Sequence, residues 1–95
     1  MNASLPTIDL LEKAHAFPCQ YLFKIIGKAD QGLLARVIAV VREELACETD
    51  PPFRVREAVG GRHQSITLEP VVQTANQVIA IYRRVGMLDG VIMMF

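Results

Sequence analysis

The sequence lacks the features that mark secreted and membrane-spanning proteins. Its two cysteines, Cys19 and Cys47, are too few for a disulfide framework and form no CxxC pair, so we expect two reduced thiols. No apolar run approaches the roughly 18 residues of a membrane span. The first residues also lack the basic and long apolar segments of a secretory signal. By elimination, we expect a cytoplasmic protein.

An excess of charge of one sign is also missing. Ten basic and ten acidic side chains give a formal net charge of zero, so nothing draws the whole chain toward a polyanion or an anionic bilayer. The composition therefore argues against nucleic acid and membrane as partners. Neither a G-x-S-x-G turn nor a Walker loop is present. We expect a protein that is not an enzyme and that needs no cofactor.

Soft metal ligands are few and poorly spaced. His15 and Cys19 have an H-x-x-x-C spacing, but Pro18 interrupts the helix that would place them on one side. Cys47 and His63 are remote in the sequence. Because these spacings match no structural zinc pattern, we expect no metal site.

The sequence does contain two kinds of apolar periodicity, one typical of strands and one typical of helices, which alternate along the chain. Ninety-five residues, 52% of them hydrophobic, suit one small core. A period of two predicts strands in "QYLFKIIG", "FRVREAV", "SITLE" and "GVIMMF". Spacings of three and four predict one helix capped by Asp30 and ending near Cys47. A second helix is predicted from the capping box of Thr74 and Gln77 to Gly86.

The order of these elements predicts the fold. Gly60 and Gly61 supply the positive φ angles that a tight hairpin turn needs between the second and third strands. Strand, helix, strand, strand, helix, strand is the order of the ferredoxin-like βαββαβ sandwich, an α+β fold with two helices on one face of a four-stranded antiparallel sheet. We assign residues 17–95 to this single domain, and residues 1–16 to an N-terminal tail or a short helix capped by Thr7.

Four segments carry a resemblance to a known family: "FPCQYLFKIIG", "GGRHQSITL", "QVIAIY" and "VIMMF". In order and spacing they resemble the YbeD-like family of small, uncharacterised bacterial proteins, from Phe17 to Phe95. The resemblance implies a ferredoxin-like fold similar to ACT regulatory domains, with no established catalytic residue. In that family a Tyr-His pair often follows the hairpin glycine, whereas here Arg62 precedes His63 and Gln64.

A second resemblance concerns the first strand-to-helix corner. "DQGLLARV" is similar to the D-x-P-G-L-L pattern of many ACT domains, with Gln31 in place of the proline, and this implies a small effector bound at a subunit interface. A helix start exposes unpaired N–H groups, and a glycine permits close approach of an anion. Alternatively, the corner is purely structural and Asp30 caps those groups itself. The candidate ligand-binding residues are Gly27, Asp30, Gln31, Gly32 and Leu33.

Basic residues are predicted to share the sheet face that the helices leave free. Lys24, Arg54 and Arg56 alternate onto this face, with Arg62 at the nearby turn, and such a patch suits phosphate or an acidic partner surface. The alternative is a solvated strand face balanced by Glu69 and neighbouring acids. An RNA-recognition sheet would also carry stacking aromatics on its middle strands, and "SITLE" has none.

Apolar residues are predicted on the same face, where Leu22 and Ile26 flank Lys24. An uncovered apolar band and the unpaired edges of the second and fourth strands both favour protein contacts. We therefore predict a regulatory or adaptor module that binds a partner protein, with a homodimer formed through the sheet face or an edge strand. The alternatives are an ACT-like sensor of a small carboxylate or amino acid, and an RNA-binding module. The last strand contributes to the band either Ile92 and Met94 or Val91 and Met93.

Overall fold

The computed structural model describes residues 5–29 and 32–95 of the chain. No helix in this part of the chain is long and apolar enough to cross a bilayer. The predicted α+β class is confirmed. In chain order the elements are α1 (Ile8–Ala14), β1 (Cys19–Gln20), β2 (Phe23–Lys28), α2 (Leu33–Leu45), β3 (Phe53–Glu57), β4 (His63–Leu68), β5 (Val71–Val72), α3 (Ala75–Gly86) and β6 (Val91–Met94).

The main sheet has the strand order β3-β4-β2-β6, and every neighbouring pair is antiparallel. β3 and β6 are its edge strands, as expected for the second and fourth predicted strands. Along β2 the side chains alternate between the two faces: Phe23 and Ile25 are buried, whereas Lys24 and Lys28 are exposed. This alternation follows from the pleat of the strand and separates the core from an open face.

Both long helices pack on the same side as Phe23 and Ile25. Their buried residues recur every three or four positions, and they join the inward residues of β2 and β4 in one hydrophobic cluster. The apolar stripes predicted from spacings of three and four therefore pack against the sheet. The cluster contains Leu33, Val37, Ile38 and Val41 from α2, Ala75, Val78, Ile81 and Val85 from α3, and Phe23, Ile25, Ile66 and Leu68 from the sheet.

A short two-stranded sheet, β1 with β5, continues the ladder of β2 with β4. Cys19 pairs with Val72 in the same register that pairs Phe23 with Leu68. The prediction of one unbroken strand across "QYLFKIIG" is wrong at the two residues between β1 and β2. The Tyr21 N–H donates to the Pro70 carbonyl at 3.0 Å, but Pro70 has no N–H with which to bond back, so the ladder is interrupted there.

The hairpin between β3 and β4 has the predicted glycine chemistry. Gly60 and Gly61 adopt φ angles of +92° and +72°, which side-chain-bearing residues rarely tolerate. The Ala58 N–H donates to the His63 carbonyl at 2.9 Å and closes the turn. β4 therefore begins at His63, two residues before the predicted start of the strand.

Side chains cap α3, with one difference from the prediction. Thr74 Oγ1 accepts a hydrogen bond from the Gln77 N–H at 3.3 Å, as a capping box requires. Gln77 Oε1, however, accepts a hydrogen bond of 2.7 Å from the N–H of Gln73, the residue before the cap, rather than from the N–H of Thr74. At α2 the N-cap position is taken by Gly32, and Asp30, the predicted cap, lies outside the described residues.

The N-terminal helix α1 packs on the helix side of the molecule. Thr7 Oγ1 accepts from the Leu10 N–H at 3.1 Å and caps the helix. Leu11 is buried in the main core, and α1 contacts α3. The described part of the N-terminal segment therefore lies away from the open face of the sheet.

An aromatic cluster joins the segment after α1 to the sheet and to α3. The ring centroid of Tyr21 lies 5.1 Å from that of His15 and 4.8 Å from that of Phe23, and the ring centroids of Phe23 and Tyr82 are 5.1 Å apart. The hydroxyls of Tyr21 and Tyr82 are 3.2 Å apart. Burial, and secondarily this hydrogen bond, raises the pKa of Tyr82 well above its ordinary value.

Candidate functional site

Alternate residues of four strands build the open face of the sheet. The register places Lys24 beside Thr67, and Thr67 beside Arg54. On the other side, the Lys24 N–H donates to the Phe95 carbonyl at 3.0 Å and the Phe95 N–H donates to the Lys24 carbonyl at 2.8 Å. Residues that exchange both bonds stand directly opposite each other, so these four side chains form one row across the sheet.

A second row runs parallel to the first, two residues further along each strand. Beyond it, Lys28 of β2 stands opposite His63 of β4 and continues the same face toward the hairpin. The second row consists of Met93, Ile26, Ser65 and Arg56.

The two rows give the face a gradient of chemistry from one edge to the other. At the β6 edge, Met93 and Phe95 leave 48% and 60% of their surface exposed. The middle strands present Lys24 and two hydroxyls, and the β3 edge presents the two arginines, which are exposed. One edge of the face is therefore apolar and the other is basic.

The basic half of the face is concave. It forms a depression of about 530 Å³ that brings together three of the four residues of the predicted basic patch. The fourth, Arg62, lies beyond the start of β4, where its carbonyl accepts from the Ala29 N–H at 3.0 Å, and it does not line the depression. The lining residues are Lys24, Arg54, Val55, Arg56, Ser65 and Thr67.

The cations of this face have no acidic partner within the part of the chain that the structure describes. Other basic residues do pair: Arg84 binds Glu43 and Glu44, which raises the pKa of Arg84, and Arg42 binds Asp50. Lys24, Lys28, Arg54 and Arg56 form no such pair. Glu69, the predicted counter-charge, forms none with them. Their charge is thus available to an anionic group from outside.

The strand-to-helix corner has a different character. A Cβ on Gly27 would lie 2.5 Å from Leu33 Cδ2 and 2.8 Å from the Gly90 carbonyl oxygen. Leu33 is fully buried, so both described flanks of the corner are occupied by the protein's own atoms. Gly32 takes the N-cap position of α2. Asp30 and Gln31, the other two candidate ligand-binding residues, lie outside the described residues.

The remaining candidate residues do not converge on a site. Among residues 5–29 and 32–95, no three His, Cys, Asp or Glu side chains group closely enough to hold a metal ion. Cys19 and Cys47 are free thiols, the first partly buried against the core and the second exposed.

Sequence reasoning missed three polar residues of the open face. Lys28 is four positions from Lys24 on the same strand, so the period of two was a signal for it. Ser65 and Thr67 alternate with buried Ile66, which also indicated the open face. Their position between the lysine and the arginines required the strand order as well.

A comparison with known families finds that residues 12–95 match the family described as "Protein of unknown function (DUF493)". The chain belongs to this family. A UPF0250 protein of Shewanella woodyi is 33% identical to this DUF493 chain over 75 residues, which cover 79% of the chain and 83% of the relative. A second UPF0250 protein, from Shewanella amazonensis, is 29% identical over 75 residues, which again cover 79% of this chain and 83% of the relative. The resemblance to the YbeD-like family is therefore confirmed.

Solved structures show that this DUF493 fold is ACT-like. Protein HP0495 from H. pylori has a TM-score of 0.60 at 16% identity, over 99% of this chain and 91% of that one. The ACT domain of a GTP pyrophosphokinase of Chlorobium tepidum has a TM-score of 0.57 at 14% identity, over 81% of this chain and 97% of that one. At these identities the likeness concerns the fold alone.

Proposed function

We propose that this DUF493 protein is a cytoplasmic, non-catalytic regulatory or adaptor module, a ferredoxin-like sandwich that binds a partner protein through its open sheet face. One observation supports this most: a continuous face carries, at one edge, cations that form no ion pair with any described residue and, at the other edge, exposed Met93 and Phe95. Exposed apolar surface next to uncompensated charge is typical of an interaction surface.

The contrast with the helix side strengthens the proposal. On that side Arg84 is held by Glu43 and Glu44 across the α2–α3 interface, so its charge is used within the fold. On the open face nothing in the described chain uses Arg54 or Arg56 in this way. Such side chains contribute little to folding stability when solvated, and this supports a role for them outside the fold.

Affinity capture with a matched pair of charge-reversal variants tests the proposal. Arg54→Glu reverses a charge on the open face, and Arg83→Glu reverses an exposed charge on α3. We expect the wild type and Arg83→Glu to retain the same proteins from the extract of the source cell, and Arg54→Glu to lose them. Circular dichroism of both variants checks that they fold. Retention of the same proteins by all three baits contradicts the proposal.

A second candidate is an ACT-like sensor of a small carboxylate or amino acid. The likeness to the ACT domain from C. tepidum supports it, whereas the occupied flanks at Gly27 and Leu33 weigh against a ligand pressed into that corner. A ligand that binds the folded state raises the melting temperature. A thermal shift with amino acids at millimolar concentration would support the sensor, and no shift with any of them would exclude it at that concentration.

A further inference from the structure

The open face has a chemistry that fits one kind of partner element. Resting on the function proposed above, we propose that this element is an acidic amphipathic helix that lies along the strands. Its carboxylates bind Arg54 and Arg56, and its apolar side chains contact Met93 and Phe95.

The spacing of the arginines fits carboxylates on a helix. Arg54 and Arg56 are two residues apart on β3, which corresponds to about 7 Å along a strand. Side chains at positions i and i+4 of a helix stand about 6 Å apart, so two acidic residues one turn apart reach both guanidinium groups. Guanidinium groups bind carboxylates through two parallel hydrogen bonds. The hydroxyls of Ser65 and Thr67 lie beside the arginines and can donate to the same carboxylates.

The width of the face fits a single helix. Three inter-strand steps separate Arg54 on β3 from Phe95 at the β6 edge, which is about 14 Å at the usual strand spacing. A helix with its side chains is about 10–12 Å across. One helix therefore reaches the arginines with one flank and the exposed Met93 and Phe95 with the other, while Ile26 lies beneath its centre.

The backbone of the sheet explains why the occupant is a helix. The N–H and C=O groups of β2 and β4 are bonded to neighbouring strands within the plane of the sheet. The open face therefore offers side chains alone, and an extended peptide lying on it would leave its own backbone groups unpaired. A helix satisfies those groups internally, so it can cover the face without that cost.

Other occupants fit the face less well. A second copy would bring basic and apolar residues against the same set, because the two rows of this face consist of basic, apolar and hydroxyl side chains. Single-stranded RNA stacks on aromatics of the middle strands, and here the middle strands contribute Lys24, Ile26, Ser65 and Thr67. An anionic bilayer is flat, whereas the basic half of the face is concave.

An NMR titration with a designed peptide tests the inference. The probe is a synthetic helix of about 18 residues, long enough to be helical in water, with Glu at i and i+4 along one stripe and Leu along the adjacent stripe. We expect saturable shifts of the backbone amides of Lys24, Arg54, Arg56 and Thr67. A peptide of the same composition in scrambled order should bind at least about tenfold more weakly, because it presents no continuous stripe.

Variants of the protein localise the contact. Arg54→Glu should weaken peptide binding about tenfold, because attraction becomes repulsion, whereas Arg83→Glu should leave it unchanged. Arg54→Gln, which removes the charge and keeps much of the side chain, should give an intermediate loss and guards against misfolding of the Glu variant. Shifts confined to the helices or to the β3 edge, or equal binding of the scrambled peptide, overturn the inference.

Two further probes separate this partner from other classes. An oligouridine or a vesicle of anionic phospholipid that binds the same face more tightly than the peptide overturns the inference in favour of RNA or membrane. Without peptide, concentration-dependent shifts of Lys24 and Thr67, which lie on the middle strands away from the β3 edge, would indicate a second copy on the face and also overturn it. If Arg54→Glu abolishes capture of a cellular protein but the peptide does not bind, the helix inference fails and the proposed function stands. If neither experiment depends on Arg54, both fail.

Discussion

At the scale of single residues, the space around Gly27 leaves no room for a side chain. Adding a Cβ in Gly27→Ala would bring it to 2.8 Å from the Gly90 carbonyl oxygen, a backbone atom that cannot move cheaply. We expect the variant to lose about 1–3 kcal/mol of unfolding free energy in urea. Gly86→Ala is the control, because the nearest atom to its Cβ is Met94 Sδ at 4.0 Å. Equal stability of the two variants would contradict this packing.

Tyr82 makes the stability of the fold depend on pH at the alkaline end. Burial, followed by the hydrogen bond to Tyr21, raises the pKa of Tyr82 in the folded state. The unfolded chain ionises this phenol first, near its ordinary pKa of about 10. The free energy of unfolding therefore falls as pH rises above that value. Urea unfolding at increasing pH should show a steeper loss for the wild type than for Tyr82→Phe.

Spectrophotometric titration tests the same residue directly. The chain has two tyrosines, so Tyr21→Phe leaves Tyr82 as the sole phenol. Because burial is the largest cause of the shift, tyrosinate absorbance of the folded variant should still appear above the ordinary pKa. The same variant in denaturant should titrate at the ordinary value. Identical curves in the two conditions would show that Tyr82 is not buried.

At the scale of elements, local side-chain bonds determine where α3 begins. Thr74 satisfies the Gln77 N–H, so Thr74→Ala should cost about 1 kcal/mol of unfolding free energy. Thr74→Ser keeps the hydroxyl and should restore most of it. Chemical denaturation of the two variants measures the difference. A Thr74→Ala protein as stable as Thr74→Ser would mean that the cap contributes nothing.

Elements were also the level at which sequence reasoning was most successful. Helical stripes and the positive φ angles of Gly60 and Gly61 depend on residues close together in the chain, so a local sequence pattern predicts them. The break after Gln20 was missed because its cause, Pro70, lies in the partner segment between β4 and β5. A residue that removes a hydrogen-bond donor acts across the ladder, where no periodicity of the first strand reveals it.

At the scale of the whole molecule, the helix layer does not cover the β3 edge. Phe53 and Val55 stand opposite Leu68 and Ile66 in register, yet they remain 44% and 41% exposed, whereas Leu68 and Ile66 are fully buried. We expect a homodimer in which β3 pairs with β3 of a second copy and covers these side chains. The open face would stay accessible in such a dimer.

Sedimentation at increasing protein concentration checks the dimer. The wild type should approach twice the monomer mass of 10.6 kDa, and Val55→Lys should weaken association because it places a charge in the apolar contact. Val71→Lys, at an exposed valine of β5 outside the main sheet, is the control. A monomer mass at every concentration would rule out this association.

The sequence by itself determined the class of the fold, the two helical stripes, the hairpin and three of the basic residues now found together. Only the tertiary structure decided that Phe95 stands in one row with Lys24 and Arg54, and that Met93 faces outward while Met94 packs on the core. The physical reason is that a period of two sorts residues into two sets along one strand. Neither predicted pair of β6 residues faces out as a set, because the register shift between Ile26 and Gly27 interrupts the alternation and both Val91 and Met94 pack against the core.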